Sequence, residues 1–407
     1  MDARLLLTDL DATHIFLERY LNAGSPSGFT EIHKTSKETN PFTGKEKFPI
    51  LCFNDDDIES VTIGDSLPAF WNFNFNFAHP DSNESNIIKK AKREVLLTDF
   101  LVSPTSGGRT MFVWDRNPAG YLKLTYDVSR IGRVDRQLST KHCFASYESS
   151  QTFKRTFDDG KFPEFMAIQL EPAAKISLIP HEHETYEWGV IFREKLPYPY
   201  IEEKRQLVPG FSLFFNDSVD EPLIIQFILL GGYDPLTYLT DFLKKIIDCY
   251  WSIVLNCGFH IECHGQNCLF EVDDKYNIVR MVIKDMDSVD KDIPLAEYLG
   301  LNSKWDSYPQ CCFDKNIHFY DIRASYMYDF KLGEYLLTPI IDAVGKYFRL
   351  NISHIQKQIK DYVQSTYVPY LPSWYFPEDG CWYDCDNTER KPGTKRVYTA
   401  NKDPKFR

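Results

Sequence analysis

The stretch GFHIECHGQNCLF, Gly258 to Phe270, gathers Glu262, His264, Gln266, Asn267 and two thiols between apolar flanks. Further on, IKDMD sets Asp285 and Asp287 two positions apart. A carboxylate pair beside amide side chains suits Mg2+ and a nucleotide phosphate, because this hard cation prefers oxygen ligands and keeps several of its waters. If the strand Ile278 to Lys284 lies beside strands at Phe259 to Cys263 and Cys268 to Val272, period two puts both acids on one face at a sheet end. The same letters also describe a polar hairpin turn with solvated acids, Gly265 giving the backbone its freedom, and periodicity alone leaves the two readings level. A second constellation is basic: Arg109, Lys123, Arg130, Arg133 and Arg136. Converging on a polyanion, the arginines would make bidentate contacts and the lysine a point-charge contact; solvated strand faces look the same.

Two further patterns invite a metal. HEHETYE holds His181, His183 and Glu187 at the spacing of metal-binding double-stranded β-barrels, but LVPGFSLFF carries the later Pro-Gly turn without its histidine, so a polar loop is the better reading. Cys311-Cys312 suggests iron–sulfur ligation, which needs several thiolates. Cys381 and Cys385 stand far off with a gap that is not a cluster spacing, which favours buried or incidental thiols. No Gly-x-Ser-x-Gly, Walker loop or dinucleotide fingerprint occurs in a strand-to-helix context, so covalent serine catalysis and hydride transfer recede.

The elements that must carry these residues are partly readable. Leu239, Leu243, Ile246, Tyr250, Ile253 and Cys257, with Leu236 before them, recur at helical spacing; Asp234 can cap, Pro235 suits the first turn and Gly258 the stop. Beyond it strands are expected at Phe259 to Cys263, Cys268 to Val272 and Ile278 to Lys284. Thr110 to Trp114 and Tyr121 to Val128 read as a hairpin closed by Asn-Pro-Ala-Gly. At 407 residues the chain exceeds what one core accommodates, so two or three lobes are expected. The 43% of hydrophobic residues supports a large core, and a net charge of -12 gives no basic face for nucleic acid. No apolar run reaches the length of a bilayer span, and the start, MDARLLLTDLDATHIFL, interrupts its apolar residues with acids and lacks a cleavage site. A cytoplasmic protein with reduced thiols, without nucleic-acid or membrane partners, is the expectation.

The block GFHIECHGQNCLFEVDDKYNIVRMVIKD resembles the Gly-Ile-x-x-Glu-x-His-x-Gln-Asn … Arg-Asp block of the IucA/IucC-type siderophore synthetases, the NIS family that works without a nonribosomal peptide synthetase. Gly258, Glu262, His264, Gln266, Asn267 and Asp285 match it, with Lys284 where the family usually has Arg. Upstream, SPTSGGRTMFVW … YLKLTYDVSRIGRVDR is similar to the family's Ser-x-Arg-Thr, Leu-Lys-Leu and later Arg. Gly107 takes the motif serine's place with Ser106 displaced by one, and Arg136 comes one residue late without a preceding Thr.

The resemblance implies an α+β, multi-lobed open-hand fold: a reduced N-terminal region over 1–100, a fingers-like α/β domain binding ATP and carboxylate over 101–215, and a kinase-like palm over 216–407. It implies a ligase using ATP and Mg2+ to adenylate a di- or tricarboxylic acid such as citrate, which an amine or alcohol then captures, in siderophore or related small-molecule biosynthesis. Arg109 and Lys123 would contact phosphate, and Gln266, Asn267 and Asp285 nucleotide. Asp285, Asp287 and Asn267 would hold Mg2+. His264 and Arg136 would bind carboxylate and serve catalysis, with Glu262 orienting them. His33 and Lys37, in HKTSKETNPFTG, echo the family's substrate-contacting His-Pro-x-x-Lys at the same spacing. A homodimer is also implied. A shortened, inactive homologue that only binds a ligand or partner stands as the alternative, and an iron–sulfur ferric reductase as a third.

Overall fold

The computed structural model describes residues 1–22, 38–64, 67–71, 74–84, 87–88, 95–131, 134–181, 183–216, 219–301, 312–313, 324–376, 381–382, 399–400 and 403–407. In chain order the strands are β1 Phe48–Asn54, β2 Ser60–Ile63, β3 Phe75–Ala78, β4 Val95–Pro104, β5 Thr110–Val113, β6 Gly120–Leu124, β7 Tyr126–Ile131, β8 Val134–Arg136, β9 Met166–Ile168, β10 Ala173–His181, β11 Glu184–Glu194, β12 Gln206–Pro209, β13 Phe259–His260, β14 Cys268–Val272, β15 Ile278–Ile283, β16 Asp290–Asp292, β17 Cys312–Phe313, β18 Cys381–Trp382 and β19 Thr399–Ala400.

Eight of them make one antiparallel sheet in the order β2-β10-β11-β6-β5-β4-β1-β3. Side-chain alternation gives this sheet two different faces. Met111, Val113, Leu122, Leu124, Val190 and Phe192 enter a core with Phe53, Phe77 and Trp188. Their neighbours Tyr121, Lys123, Ile191 and Arg193 therefore point the other way. Helix Leu10–Tyr20 covers part of that second face through Ile15, which packs with Phe112 and Tyr121. Helix Thr140–Asp158 covers another part, setting Cys143 among Ile176 and Ile191.

A second, mixed sheet runs β12-β14-β15-β9, with β15 and β9 parallel. It packs into a larger core around helix Pro235–Cys257. Asp234 caps that helix, its Oδ2 accepting from the Thr237 amide at 2.8 Å. Leu239, Leu243, Ile246, Tyr250, Ile253 and Cys257 are all buried, whereas Leu236, in the first turn, is exposed. Gly258 ends the helix at φ 64, where a Cβ would stand 3.0 Å from that of Ala296. Gly258→Ala should therefore cost about 1–2 kcal/mol, read as a lowered urea midpoint with an unchanged slope.

The hairpin around Asn-Pro-Ala-Gly forms as β5 and β6, and β7 then leaves for a separate ribbon with β8. Three expectations need correction. The strand after Gly258 lasts only Phe259–His260, and it pairs with β16 rather than with β14. The residues from Ile261 to Asn267 are thus no hairpin turn but a crossing from one sheet to another. This crossing is packed: a Cβ on Gly265 would lie 2.9 Å from the Phe211 amide nitrogen. Lastly, β15 ends at Ile283, so period two does not orient Asp285 and Asp287.

Sheet and core also cut across sequence position. Strands β1 to β3 from the first hundred residues complete the large sheet, while Leu17 and Leu21 sit in the core around helix Pro235–Cys257. Among the described residues no helix is long and apolar enough to cross a membrane. Cys52, Cys143, Cys249, Cys257, Cys263 and Cys268 are buried free thiols.

Candidate active site

Lys123 is buried on the second face of the large sheet, on β6 beside β11, where Lys123 pairs with Ile191 and Tyr121 with Arg193. Alternation thus turns two cations, Lys123 and Arg193, toward the same side. Arg109 ends the turn into β5, and its carbonyl accepts the Leu124 amide at 3.0 Å, fixing that turn to β6.

The acids come from beyond β15. Asp285 adopts φ 76, ψ 59, a left-handed conformation uncommon for any residue but glycine, and best tolerated by Asn and Asp. This kink replaces strand alternation as the device that brings Asp285 and Asp287 together. Lys123 Nζ donates to Asp285 Oδ1 and to Asp287 Oδ1. Arg193 donates to Asp285 Oδ1 at 2.7 Å and to Glu171 at 2.6 Å, and Arg109 stands 3.7 Å from Asp287. Burial would push the Asp285 carboxyl up, but Lys123 and Arg193 hold it well below the usual carboxylate range.

The loop from β13 to β14 meets this cluster from one side. His264 is buried; its Nδ1 accepts the Gln266 amide at 3.2 Å and its Nε2 lies 3.8 Å from Glu262. Burial, and then the Lys331 charge, keeps the imidazole below its ordinary value and neutral near pH 7. Gln266 Nε2 donates to Ser106 Oγ at 3.3 Å, joining the loop to the turn before Arg109. The Asn267 carbonyl accepts the Lys284 amide at 3.0 Å, joining it to the residue before Asp285.

Arg109, Lys123, Asp285, Asp287, Gln266, Asn267, His264 and Glu262 are therefore brought into one neighbourhood. Arg136 lies opposite Tyr126 in the β7–β8 ribbon, with its side chain outside the described residues, as is that of Arg130. Arg133, His33 and Lys37 lie outside the described residues altogether, as does Cys311. Glu187, of the HEHETYE pattern, accepts the Thr140 amide at 2.8 Å and is engaged as a helix cap.

Several residues of the site escaped the sequence reading. Glu18, on helix Leu10–Tyr20, accepts from Lys284 Nζ at 2.5 Å and from Ser106 Oγ at 2.5 Å. It thus ties the turn before Arg109 to the Lys-Asp pair at 284–285. The signal was available: His14, Leu17, Glu18 and Leu21 fall at i, i+3, i+4 and i+7, so Glu18 stands on the buried stripe. Arg193 and Glu171 gave only a charge among apolar residues.

Can this set hold Mg2+? One ammonium touches both Asp285 and Asp287, so their oxygens lie within reach of a single cation. Asn267 is buried on the loop beside them, its carbonyl hydrogen-bonded to the residue before Asp285, and its side chain would supply an amide oxygen. Two carboxylates and an amide, with water completing the shell, suit Mg2+. Among the described residues no group of three or more His, Cys, Asp or Glu converges as a metal site. This set does not suit a metal that requires an all-protein cage.

No protein-family model matches the chain, and no curated protein matches it by sequence. Solved structures do match, and the fold class they define is that of the siderophore synthetases. The petrobactin biosynthesis protein AsbB from Bacillus anthracis str. Sterne superimposes with a TM-score of 0.66 at 14% identity, covering 89% of this chain and 69% of AsbB. The aerobactin synthetase IucA from a hypervirulent pathotype of Klebsiella pneumoniae gives 0.62 at 12%, covering 81% of this chain. Its ATP-bound structure gives 0.64 at 13%, covering 82% of this chain and 64% of IucA. The chain spans 63% of the first IucA structure, so it has the fold over a shorter length. The chain thus has the fold of these proteins.

Proposed function

We propose that the protein is an ATP- and Mg2+-dependent ligase that adenylates a di- or tricarboxylic acid and passes the acyl group to an amine or alcohol in siderophore or related small-molecule synthesis. The observation that carries this reading is the convergence of Lys123, Arg109 and Arg193 with Asp285 and Asp287 beside the His264–Asn267 loop. Three cations matched by acidic ligands suit a phosphate chain with its metal. They do not suit a neutral substrate.

Asp285, Asp287 and Asn267 would hold Mg2+, which supplies charge neutralisation at the phosphates. With those acids engaged, Lys123 and Arg109 would turn to phosphate oxygens. In the first step a carboxylate oxygen attacks the α-phosphorus, the bond to the β-phosphate oxygen breaks, and pyrophosphate leaves. Lys123 and Arg109 stabilise the charge that develops on the phosphate oxygens. In the second, the amine or alcohol attacks the acyl carbon, AMP leaves with the bonding electrons, and a proton is lost from the nucleophile. Neutral His264, whose Nδ1 accepts the Gln266 amide, carries its proton on Nε2 and would donate a hydrogen bond to the acid, with Glu262 orienting it before the acid binds. Positioning the reactants contributes the rest of the acceleration.

Purified protein should release pyrophosphate from ATP with at least one acid of a panel of di- and tricarboxylates. No ATP binding and no pyrophosphate with any acid would defeat the enzyme reading. ATP binding without release would favour a ligand-binding homologue.

A further inference from the structure

Around the His264–Asn267 loop the described ion pairs balance: beyond the cluster at Lys123, Lys284 is held by Glu18 and Lys331 by Glu262. A site whose cations are matched by its own carboxylates takes up an anion where one of those carboxylates is able to move away. Glu18 and Glu171 have no exposed side-chain surface, and Asp287 has 5%; Asp285 and Glu262 have 22% and 21%. Asp285 is accounted for by the metal. Glu262 is the other partly exposed carboxylate, and among the described ion pairs its lysine partner is Lys331.

Lys331 is itself an unusual residue. It is buried, its Nζ is 3.2 Å from Glu262 Oε1, and burial opposes its charge while Glu262 outweighs that and keeps it protonated. It stands in the middle of a π-helix, Tyr326–Leu337. Such wide turns are rare and concentrate at functional sites. Contacts on two sides hold this one. The Tyr335 carbonyl accepts the Gly265 amide at 3.2 Å, on the loop side. On another side Phe406 packs against Gly333, and Arg407 donates to Asp329 at 2.9 Å. The π-helix thus fixes Lys331 against the site loop.

We propose that Lys331 binds a carboxylate of the acid substrate other than the one that is activated, taking it in exchange for Glu262. Lys331 is then the residue that separates di- and tricarboxylates from monocarboxylates. The proposal rests on the ligase reading above.

Pyrophosphate release with citrate, succinate and acetate tests it. Lys331→Gln should raise KM for citrate or succinate at least about thirtyfold, the effect of losing one charged hydrogen bond. KM for ATP should stay within about twofold, and the preference in kcat/KM for citrate over acetate should fall by at least about thirtyfold. Lys331→Arg should restore most of the lost affinity. An unchanged KM for citrate and succinate, or an equal loss with ATP and all three acids, overturns the proposal. If the unsubstituted protein releases no pyrophosphate with any of the three, the ligase reading has failed for them, and calorimetric binding of citrate decides Lys331 separately. Weaker binding to Lys331→Gln then supports its carboxylate role; equal binding, or none to either protein, overturns it.

Discussion

Asp285→Asn should lower pyrophosphate release at least about a hundredfold, the scale of losing one preorganised charge contact in a transition state. The loss should not come from unfolding. Asn tolerates left-handed backbone as well as Asp does, so φ 76 at this position can be kept. The two cations keep partners as well: Arg193 retains Glu171, and Lys123 retains Asp287. Stability should therefore fall by about 1–3 kcal/mol, less than the full loss of a buried ion pair, because each cation keeps a second carboxylate. What disappears is one of two carboxylates for Mg2+ and the charge that sets Lys123 in place. Pyrophosphate release and thermal unfolding, measured on the same preparation, separate the two effects. Full turnover in the variant would remove Asp285 from the metal site, and a collapse of stability with it would make Asp285 a structural residue.

Motif and local period were legible, and the long-range pairing was not. The run from Asp234 to Gly258 declares a helix because its cap, its stripe and its stop agree, and the helix forms with those bounds. Strand β14 likewise occupies the apolar run Cys268–Val272. The partner of β13 was not visible, since two residues hold too little pattern to specify a sheet, and the loop after it looked like a hairpin turn because it contains a glycine. That glycine serves close packing against Phe211 instead. Asp285 and Asp287 meet on Lys123 by way of a backbone kink, where strand alternation was expected. Lys331 could not have been found from spacing, because a π-helix shifts the register that an α-helical reading would assign. Its place opposite Glu262 depends on a pairing between segments far apart in the chain.

Glu18→Gln should destabilise the protein by about 3 kcal/mol at neutral pH, because it leaves the Lys284 ammonium buried without its counter-charge. The pH dependence identifies the source. Burial alone would raise the Glu18 carboxyl, but Lys284 and then His14 bring it from 4.5 down to about 2. A carboxyl whose pKa is lower in the folded chain contributes its full stability above the unfolded value, and loses it as pH falls through the folded one. The difference in stability between the two proteins should accordingly be complete above about pH 4.5 and shrink steadily toward pH 2. Denaturant unfolding across that range checks it. A difference that stays constant with pH would mean that packing, not the ion pair, is what Glu18 provides. Activity should fall too, since Glu18 joins the Ser106 turn to Lys284 and so sets Arg109 against Asp285 and Asp287. An acid on helix Leu10–Tyr20, far in sequence from Arg109, Lys284 and Asp285, would then be the residue that holds the two halves of the site in register.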